Sequence, residues 1–221
     1  MVRLIETEKL KKREIEKEKD NKIYLFVKRL IDIVGSLSGL IILSPVLIIV
    51  SLLIKLDSKG PIIFSQERVG LNGKKFKMYK FRSMVVNAEE LKRKIEHLNE
   101  MSGPMFKIKN DPRITRIGKV IRKTSIDELP QLINVLKGEM SLVGPRPSLP
   151  CEVDKFESWM LKRLSVKPGL TCYWQIEGRN NIEFDKWMLL DIKYIEERNL
   201  LIDIKLILKT VLVLWGDKNA S

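Results

Sequence analysis

Residues 33–54 carry no charged side chain, and that run of 22 residues limits the folds open to the chain more than any other feature. Lys28, Arg29 and Asp32 precede it, and Lys55 and Asp57 follow it. As a helix rising about 1.5 Å per residue the run would extend roughly 33 Å, against about 30 Å for the hydrocarbon core of a bilayer. A simple span would set residues 1–29, with ten Lys or Arg, on one side and the basic remainder on the other. One of those sides breaks the positive-inside rule. Ser44-Pro45, at the middle of the run, offers a different course. Proline lacks the amide that would bond the Ile41 carbonyl, and it bends a helix at that point. The Ser44 hydroxyl can turn back onto a freed carbonyl of the preceding turn, which limits the cost in lipid. Two arms of about ten residues, near 15 Å each, then enter one leaflet and return. The expectation is a re-entrant helix hairpin over residues 23–57, broken at Ser44 and Pro45, with both flanks on the cytoplasmic side. A kinked single span is the alternative.

At 221 residues the chain has room for one domain with appendages. Residues 1–22 mix Glu and Lys with sparse apolar positions and read as a charged helix or tail; self-association through them stays open. They hold no apolar stretch that would make a signal peptide. Residues 58–221 are left as the globular domain. A formal net charge of +13 points to polyanionic company, whether nucleic acid, an anionic membrane surface or phosphorylated substrates. Two cysteines, Cys151 and Cys172, do not make a disulfide framework, so a reducing compartment is the default. A single histidine, His97, lies in a charged helical pattern and reads as a surface residue, which argues against a zinc site.

Residues 60–84 read as a β-hairpin with its turn at Asn72-Gly73. Alternation on the return strand puts Phe76, Met78, Lys80 and Arg82 on one face, so Lys80 and Arg82 point together as phosphate-binding cations would. A solvated basic strand is the plainer reading. Aromatics interleaved with lysines also suit RNA, but no nucleic-acid motif accompanies them. Further on, residues 156–164, 184–195 and 200–215 each look amphipathic. Trp and Lys on such helices suit a position at headgroup level, while the middle one also suits an ordinary core. Asp191 falls on the apolar side of that middle helix and calls for a cationic partner.

The densest chemistry lies in residues 122–147. Asp127 and Glu128 stand directly before a short apolar helix, 131–137, which Pro130 can open and Gly138 can close. The partial positive charge of a helix N-terminus keeps a neighbouring carboxylate ionised and therefore nucleophilic. Downstream, Gly144-Pro145-Arg146-Pro147 holds one arginine between two prolines in an extended segment. Carboxylates, cations and rigid backbone together look like a phosphate-handling site. Ser125-x-x-Glu128 is equally a capping box, in which Glu128 would serve the helix start and no chemistry.

The run TSIDELPQLINVLKGEMSLVGPRP (124–147) resembles the signature of the bacterial sugar transferase family, the monotopic phosphoglycosyl transferases that act on polyprenyl phosphate. KMYKFRSM (77–84), DPRITRIGKVIRK (111–123) and VKPGLTCYWQIEGRN (166–180) extend the match, in order, across roughly residues 25–215. The resemblance implies an α+β, predominantly helical fold: a re-entrant membrane hairpin, a small β-hairpin and amphipathic interfacial helices around a small catalytic domain. It also implies transfer of a phosphosugar from a UDP-sugar to undecaprenyl phosphate with release of UMP, on the cytoplasmic face of a bacterial inner membrane. Asp127 matches the family's nucleophile, which forms a covalent phosphosugar ester, and Glu128 its partner in binding Mg²⁺. Lys80, Arg82, Arg122, Arg146 and Arg179 are the cations expected to neutralise phosphate or nucleotide. Cys172 departs from the family pattern, which has glycine there. Members acting on galactose, glucose and N-acetylated sugars share these motifs. Direct attack by the lipid phosphate in a ternary complex is the mechanistic alternative. A membrane-tethered nucleic-acid-binding module or a non-catalytic assembly factor are the competitors from other classes. The first leaves the Asp-Glu pair without a job, and the intact pair argues against the second.

Overall fold

Pro45 does break the apolar run. The computed structural model describes residues 22–100, 106, 108, 110–177 and 182–216, with side chains through 212. Arg179 and the charged segment before Lys22 lie outside the described residues. Two helices, α1 (Lys22–Ile42) and α2 (Ser44–Asp57), meet at Leu43 with a bend of 61°. The Ser44 hydroxyl donates to the Ile41 carbonyl at 2.8 Å, the acceptor that Pro45 leaves without its amide. Ile41, Ile42, Ile48, Ile49, Leu52 and Leu56 of the two helices are exposed. Among the described residues no single helix is long and apolar enough to cross a membrane, whereas this bent pair together meets that test of length and composition.

The inner side of α1 is polar, and Tyr24, Lys28 and Asp32 on it find partners far along the chain. Asp32 accepts from the Ser141 hydroxyl at 2.9 Å and from the Leu142 amide at 2.8 Å. Lys28 reaches Asp203 at 2.9 Å, and Tyr24 donates to the same carboxylate. A helix that had only lipid for company could not carry these groups. They fasten the apolar hairpin to the globular domain.

The β-hairpin forms where the Asn-Gly turn places it. Strands β1 (Ile63–Val69) and β2 (Lys75–Phe81) pair antiparallel, with Phe64 opposite Lys80 and Arg68 opposite Phe76. Asn72 takes φ of 54° and Gly73 takes 78°, the left-handed pair such a turn demands. One face of the hairpin puts Phe81 against Val50 and Ile54 of α2. The opposite face puts Met78 against Val135 and Met140. The hairpin is therefore a wall with α2 on one side and the Val135 cluster on the other. After it come α3 (Ala88–Lys94), a turn that exposes His97, and α4 (Arg116–Lys123), whose Ile121 closes the Phe81 cluster. Gly138, at φ of 80°, ends α5 (Gln131–Lys137) as its sequence position requires.

A second small sheet lies further along the chain: β3 (Ser141–Val143) runs parallel to β4 (Gly169–Thr171), Val143 facing Thr171. The two strands approach so closely that a Cβ on Gly144 would strike the Lys167 carbonyl, and one on Gly169 the Gly144 amide. Between them lie α6 (Pro150–Val153) and a 3-10 segment, Ser158–Ser165; after them come α7 (Tyr173–Glu177), α8 (Phe184–Glu197) and α9 (Leu200–Gly216). Their apolar residues make the main core, with Trp174 and Trp187 stacked at 4.6 Å.

This core takes up two of the three amphipathic stretches, against the headgroup-level reading for the first and in line with the core reading for the middle one. Residues 158–165 form a 3-10 segment that buries Met160, Leu161 and Leu164, and Arg163 beside Lys162 is 3% exposed. Helix α8 buries Phe184, Trp187, Met188, Tyr194 and Ile195, the ordinary core arrangement. Of these three stretches, α9 keeps a broad exposed apolar face, through Leu201, Ile204, Leu208, Val211 and Leu212. Cys172 is fully buried and is not among the residues with positive φ, so the backbone there accommodates a side chain in place of glycine.

Candidate active site

The Asp127-Glu128 pair sits on a turn built from unusual backbone. The Thr115 hydroxyl accepts from the Gly118 amide and starts α4, which runs out at Lys123. Ser125 then adopts φ of 56°, a left-handed conformation that costs a non-glycine residue roughly 1–2 kcal/mol. Such strain is held only where the surroundings over-determine it. A 3-10 turn, Ile126–Glu128, carries the two carboxylates, and Pro130 leads directly into α5. The capping box does not form: no side-chain bond from Ser125 caps this turn, and Glu128 faces cations instead.

Asn134 fixes α5 to the hairpin. Its side-chain oxygen accepts from the Tyr79 amide at 3.0 Å, and its nitrogen donates to the Lys77 carbonyl at 2.7 Å. Those bonds set the height of Lys80 relative to the carboxylates. From the other side Arg29 of α1 donates to the Val135 and Leu136 carbonyls at 2.6 and 2.7 Å, using acceptors that the helix end leaves open. The site is thereby tied to the apolar hairpin.

Lys80 Nζ lies 2.7 Å from Glu128 Oε1 and 4.0 Å from Asp127 Oδ2. Arg146 Nη1 lies 3.0 Å from the same Glu128 oxygen. Burial alone would raise the Glu128 pKa, but Lys80 and Arg146 hold it well below the usual carboxylate range. Asp127 moves the other way. Burial raises it, the attraction of Lys80 offsets part of that, and the charge on Glu128 adds to the rise. Burial also draws Lys80 down, against the pull of Glu128. The two neighbouring carboxylates are therefore in different electrostatic states. Glu128 is committed to two cations through one oxygen, and Asp127 is buried with its charge poorly solvated.

Magnesium in phosphoryl-transfer sites takes one or two carboxylates plus substrate phosphates rather than an all-protein cage. The donor set fits that pattern. Among the described residues there is no group of three or more His, Cys, Asp or Glu side chains able to hold a metal, but Glu128 Oε2 takes neither Lys80 nor Arg146.

Residues 23–217 match the family model described as bacterial sugar transferase. The chain belongs to this family. Among curated relatives it is 54% identical over 191 residues to a galactosyl transferase, CpsE, of Streptococcus agalactiae, covering 86% of this chain and 42% of that one. It is 45% identical over 192 residues to an undecaprenyl-phosphate galactose phosphotransferase of Salmonella typhimurium, with 85% and 40% covered. It is 36% identical over 188 residues to the exopolysaccharide production protein ExoY of Rhizobium meliloti, with 83% of each covered. The chain thus spans about two-fifths of the length of the first two relatives and most of the third.

Of the residues expected in the site, the structure brings together Lys80, Asp127, Glu128 and Arg146. Arg122 stands at its exposed edge, close enough to Asp127 to offset part of the rise that burial gives its pKa. Arg82 does not join them, which corrects its assignment as a phosphate cation. The chain leaves β2 at Phe81, so strand alternation no longer governs Arg82. Its guanidinium turns to the end of α2, donating to the Ser58 carbonyl at 2.7 Å, the Ser58 hydroxyl at 3.0 Å and the Pro61 carbonyl. Arg68 was missed. It shares the Lys80 face of the hairpin, donates to the Pro147 carbonyl at 3.1 Å and lies near Arg146 and Glu128. Burial draws its pKa down to about 10, and the neighbouring Arg146 adds to the fall. The register fixed by the Asn-Gly turn was the signal that could have found it, since it sets Arg68, Gln66 and Lys80 on one face.

Proposed function

We propose that this bacterial sugar transferase moves a sugar phosphate from a UDP-sugar to undecaprenyl phosphate, working at the surface of the bacterial inner membrane. The observation that carries the reading is the pairing of Lys80 and Arg146 on one oxygen of Glu128, which leaves its neighbour Asp127 buried with its nearest cation, Lys80, 4.0 Å away. A carboxylate in that state gains by forming a covalent bond, because an ester removes a poorly solvated charge. A carboxylate oxygen of Asp127 attacks the sugar-bearing phosphorus of the UDP-sugar. The bond from that phosphorus to the bridging oxygen breaks, and UMP leaves with the bridging oxygen. An oxygen of undecaprenyl phosphate then attacks the same phosphorus, the phosphorus–oxygen bond to Asp127 breaks, and the free carboxylate returns.

Lys80, Arg146, Arg68 and Arg122 supply positive charge where anion attacks anion, and Arg179 is a further candidate. Bound magnesium, held by Glu128 and the substrate phosphates, would withdraw charge from the diphosphate. The 61° break at Ser44-Pro45 supports a re-entrant anchor, and the basic residues on both sides of the run support a cytoplasmic position for both flanks. Such an anchor holds the site where a polyprenyl phosphate, confined to the bilayer, presents its headgroup. Membranes carrying the protein, given UDP-galactose or UDP-N-acetylgalactosamine labelled in the sugar, should move label into organic-extractable lipid. Label that stays in the aqueous phase with every UDP-sugar tried would overturn the reading.

A further inference from the structure

Four consecutive carbonyls of the Pro-Arg-Pro segment are each held by a separate donor. Pro145 accepts from the Gly169 amide at 2.9 Å, Arg146 from Arg163 at 2.8 Å, Pro147 from Arg68 at 3.1 Å and Ser148 from the Val69 amide at 2.9 Å. The Arg163 contact stands apart, because that side chain is buried behind the site and does not reach its carboxylates. Its Nη1 donates to the Ser148 hydroxyl at 2.7 Å, and its Nη2 lies 2.6 Å from Asp191 Oδ2. Neither side chain has more than 2% of its surface exposed.

A buried ion pair of this kind is a poor device for stability, since apolar side chains of similar volume often serve as well. What apolar side chains cannot do is hold a carbonyl and a hydroxyl at once. The aromatic contacts run the same way. Arg163 lies 5.9 Å from the Trp187 ring, Trp187 stacks on Trp174 at 4.6 Å, and the Arg146 guanidinium lies 5.7 Å from the Trp174 ring. Both the backbone and the guanidinium of Arg146 thus trace back to Arg163.

We infer that Asp191 and Arg163 are a positioning pair: Asp191 aims the Arg163 fork, and the fork fixes Arg146 in place for Glu128 and the substrate diphosphate. Neither touches the reacting atoms. The inference rests on the transfer reaction proposed above, and its test includes one readout that does not. In the double variant Arg163→Met with Asp191→Leu the core keeps its volume and loses the tether. Purified into nanodiscs with undecaprenyl phosphate, this variant should unfold near the wild-type temperature. Its kcat with UDP-galactose or UDP-N-acetylgalactosamine should fall by about tenfold to a hundredfold, as a misplaced positioning group costs, with little change in KM. In an Arg146→Ala background the same pair of changes should cost no further activity, because residues acting through one another do not add. Hydrogen exchange should accelerate in peptides covering residues 144–149 and stay unchanged in α8 and α9. Arg163→Lys gives a second variant that keeps a cation against Asp191 but lacks the fork, and it should show the same exchange change. Wild-type kcat in a folded double variant, an undiminished loss in the Arg146→Ala background, or unaltered exchange over 144–149 would each overturn the inference. Wild-type protein inactive on both sugars would count against the transfer reading instead, and the exchange result would still decide the pair.

Discussion

Ser44 and Ile41 are joined by a 2.8 Å bond from hydroxyl to carbonyl, directly at the 61° bend between α1 and α2. The bond repairs what the proline removes, since Pro45 is the residue whose amide would have served Ile41. A break satisfied in this way can lie in lipid without an exposed polar group.

The bend should therefore decide topology. Lys22→Cys, in a background with Cys151 replaced by Ser, should resist a membrane-impermeant maleimide in intact cells. Pro45→Ala restores the amide, favours a straight helix and should make a fraction of the molecules label. In the membrane Ser44→Ala should destabilise the bent form by about 1–3 kcal/mol, the cost of leaving the Ile41 carbonyl unpaired in lipid. Full labelling of the unmodified hairpin would exclude a re-entrant course.

Metal removal separates two roles for Glu128. Excess chelator should abolish transfer of the labelled sugar, and Mg²⁺ should restore it. Glu128→Gln keeps the shape but removes the charge that Lys80 and Arg146 share, and should lower kcat by about 10²–10³-fold, the scale of losing one electrostatic group in such a site. Near-normal turnover in either experiment would remove magnesium and Glu128 from the chemistry.

Asp191 gives a stability signature with a definite sign. Burial raises its pKa to about 6, in spite of Arg163, from the ordinary 3.8. A carboxyl with a raised folded pKa contributes stability that is fully present below the unfolded value and lost as pH rises through the folded one. Wild type should therefore gain on the Arg163→Met, Asp191→Leu double variant as pH falls from about 6 to about 4, by roughly 3 kcal/mol at most. Urea unfolding in micelles across that window checks it. A constant difference between the two proteins would mean that Asp191 titrates normally.

What was legible in the sequence was local. Pro130 and Gly138 bound α5 because fixed φ at one end and left-handed φ at the other are properties of single residues. Asn72-Gly73 fixed the hairpin turn, and with it the register that carries Lys80. Contacts set by tertiary structure were not legible. Arg82 follows the alternation of β2 on paper, yet its partners come from the end of α2, 24 residues back. Arg163 sits beside Lys162 in one basic run, yet one is buried against Asp191, 28 residues on, and the other bonds Glu196 on an exposed face. Asn134 carries no sequence signal at all: its role exists only because α5 packs on the edge of β2.

If Asp127 is a covalent nucleophile, the first half of the reaction runs without lipid. The protein should then exchange labelled UMP into the UDP-sugar in the absence of undecaprenyl phosphate, because formation of the aspartyl ester is reversible. Label from the sugar should remain on the protein through denaturation and be released by hydroxylamine, which cleaves acyl phosphates. Asp127→Asn should lose both behaviours, since an amide is a poor nucleophile and cannot form the mixed anhydride. The fold should survive the change. Asparagine is nearly isosteric, and the replacement removes a buried charge whose nearest cation, Lys80, lies 4.0 Å away and is bound more closely to Glu128. Exchange that strictly required the lipid acceptor would point instead to direct attack by its phosphate in a ternary complex. Asp127 would then be left to bind metal or accept a proton, and the substrates would stand unchanged.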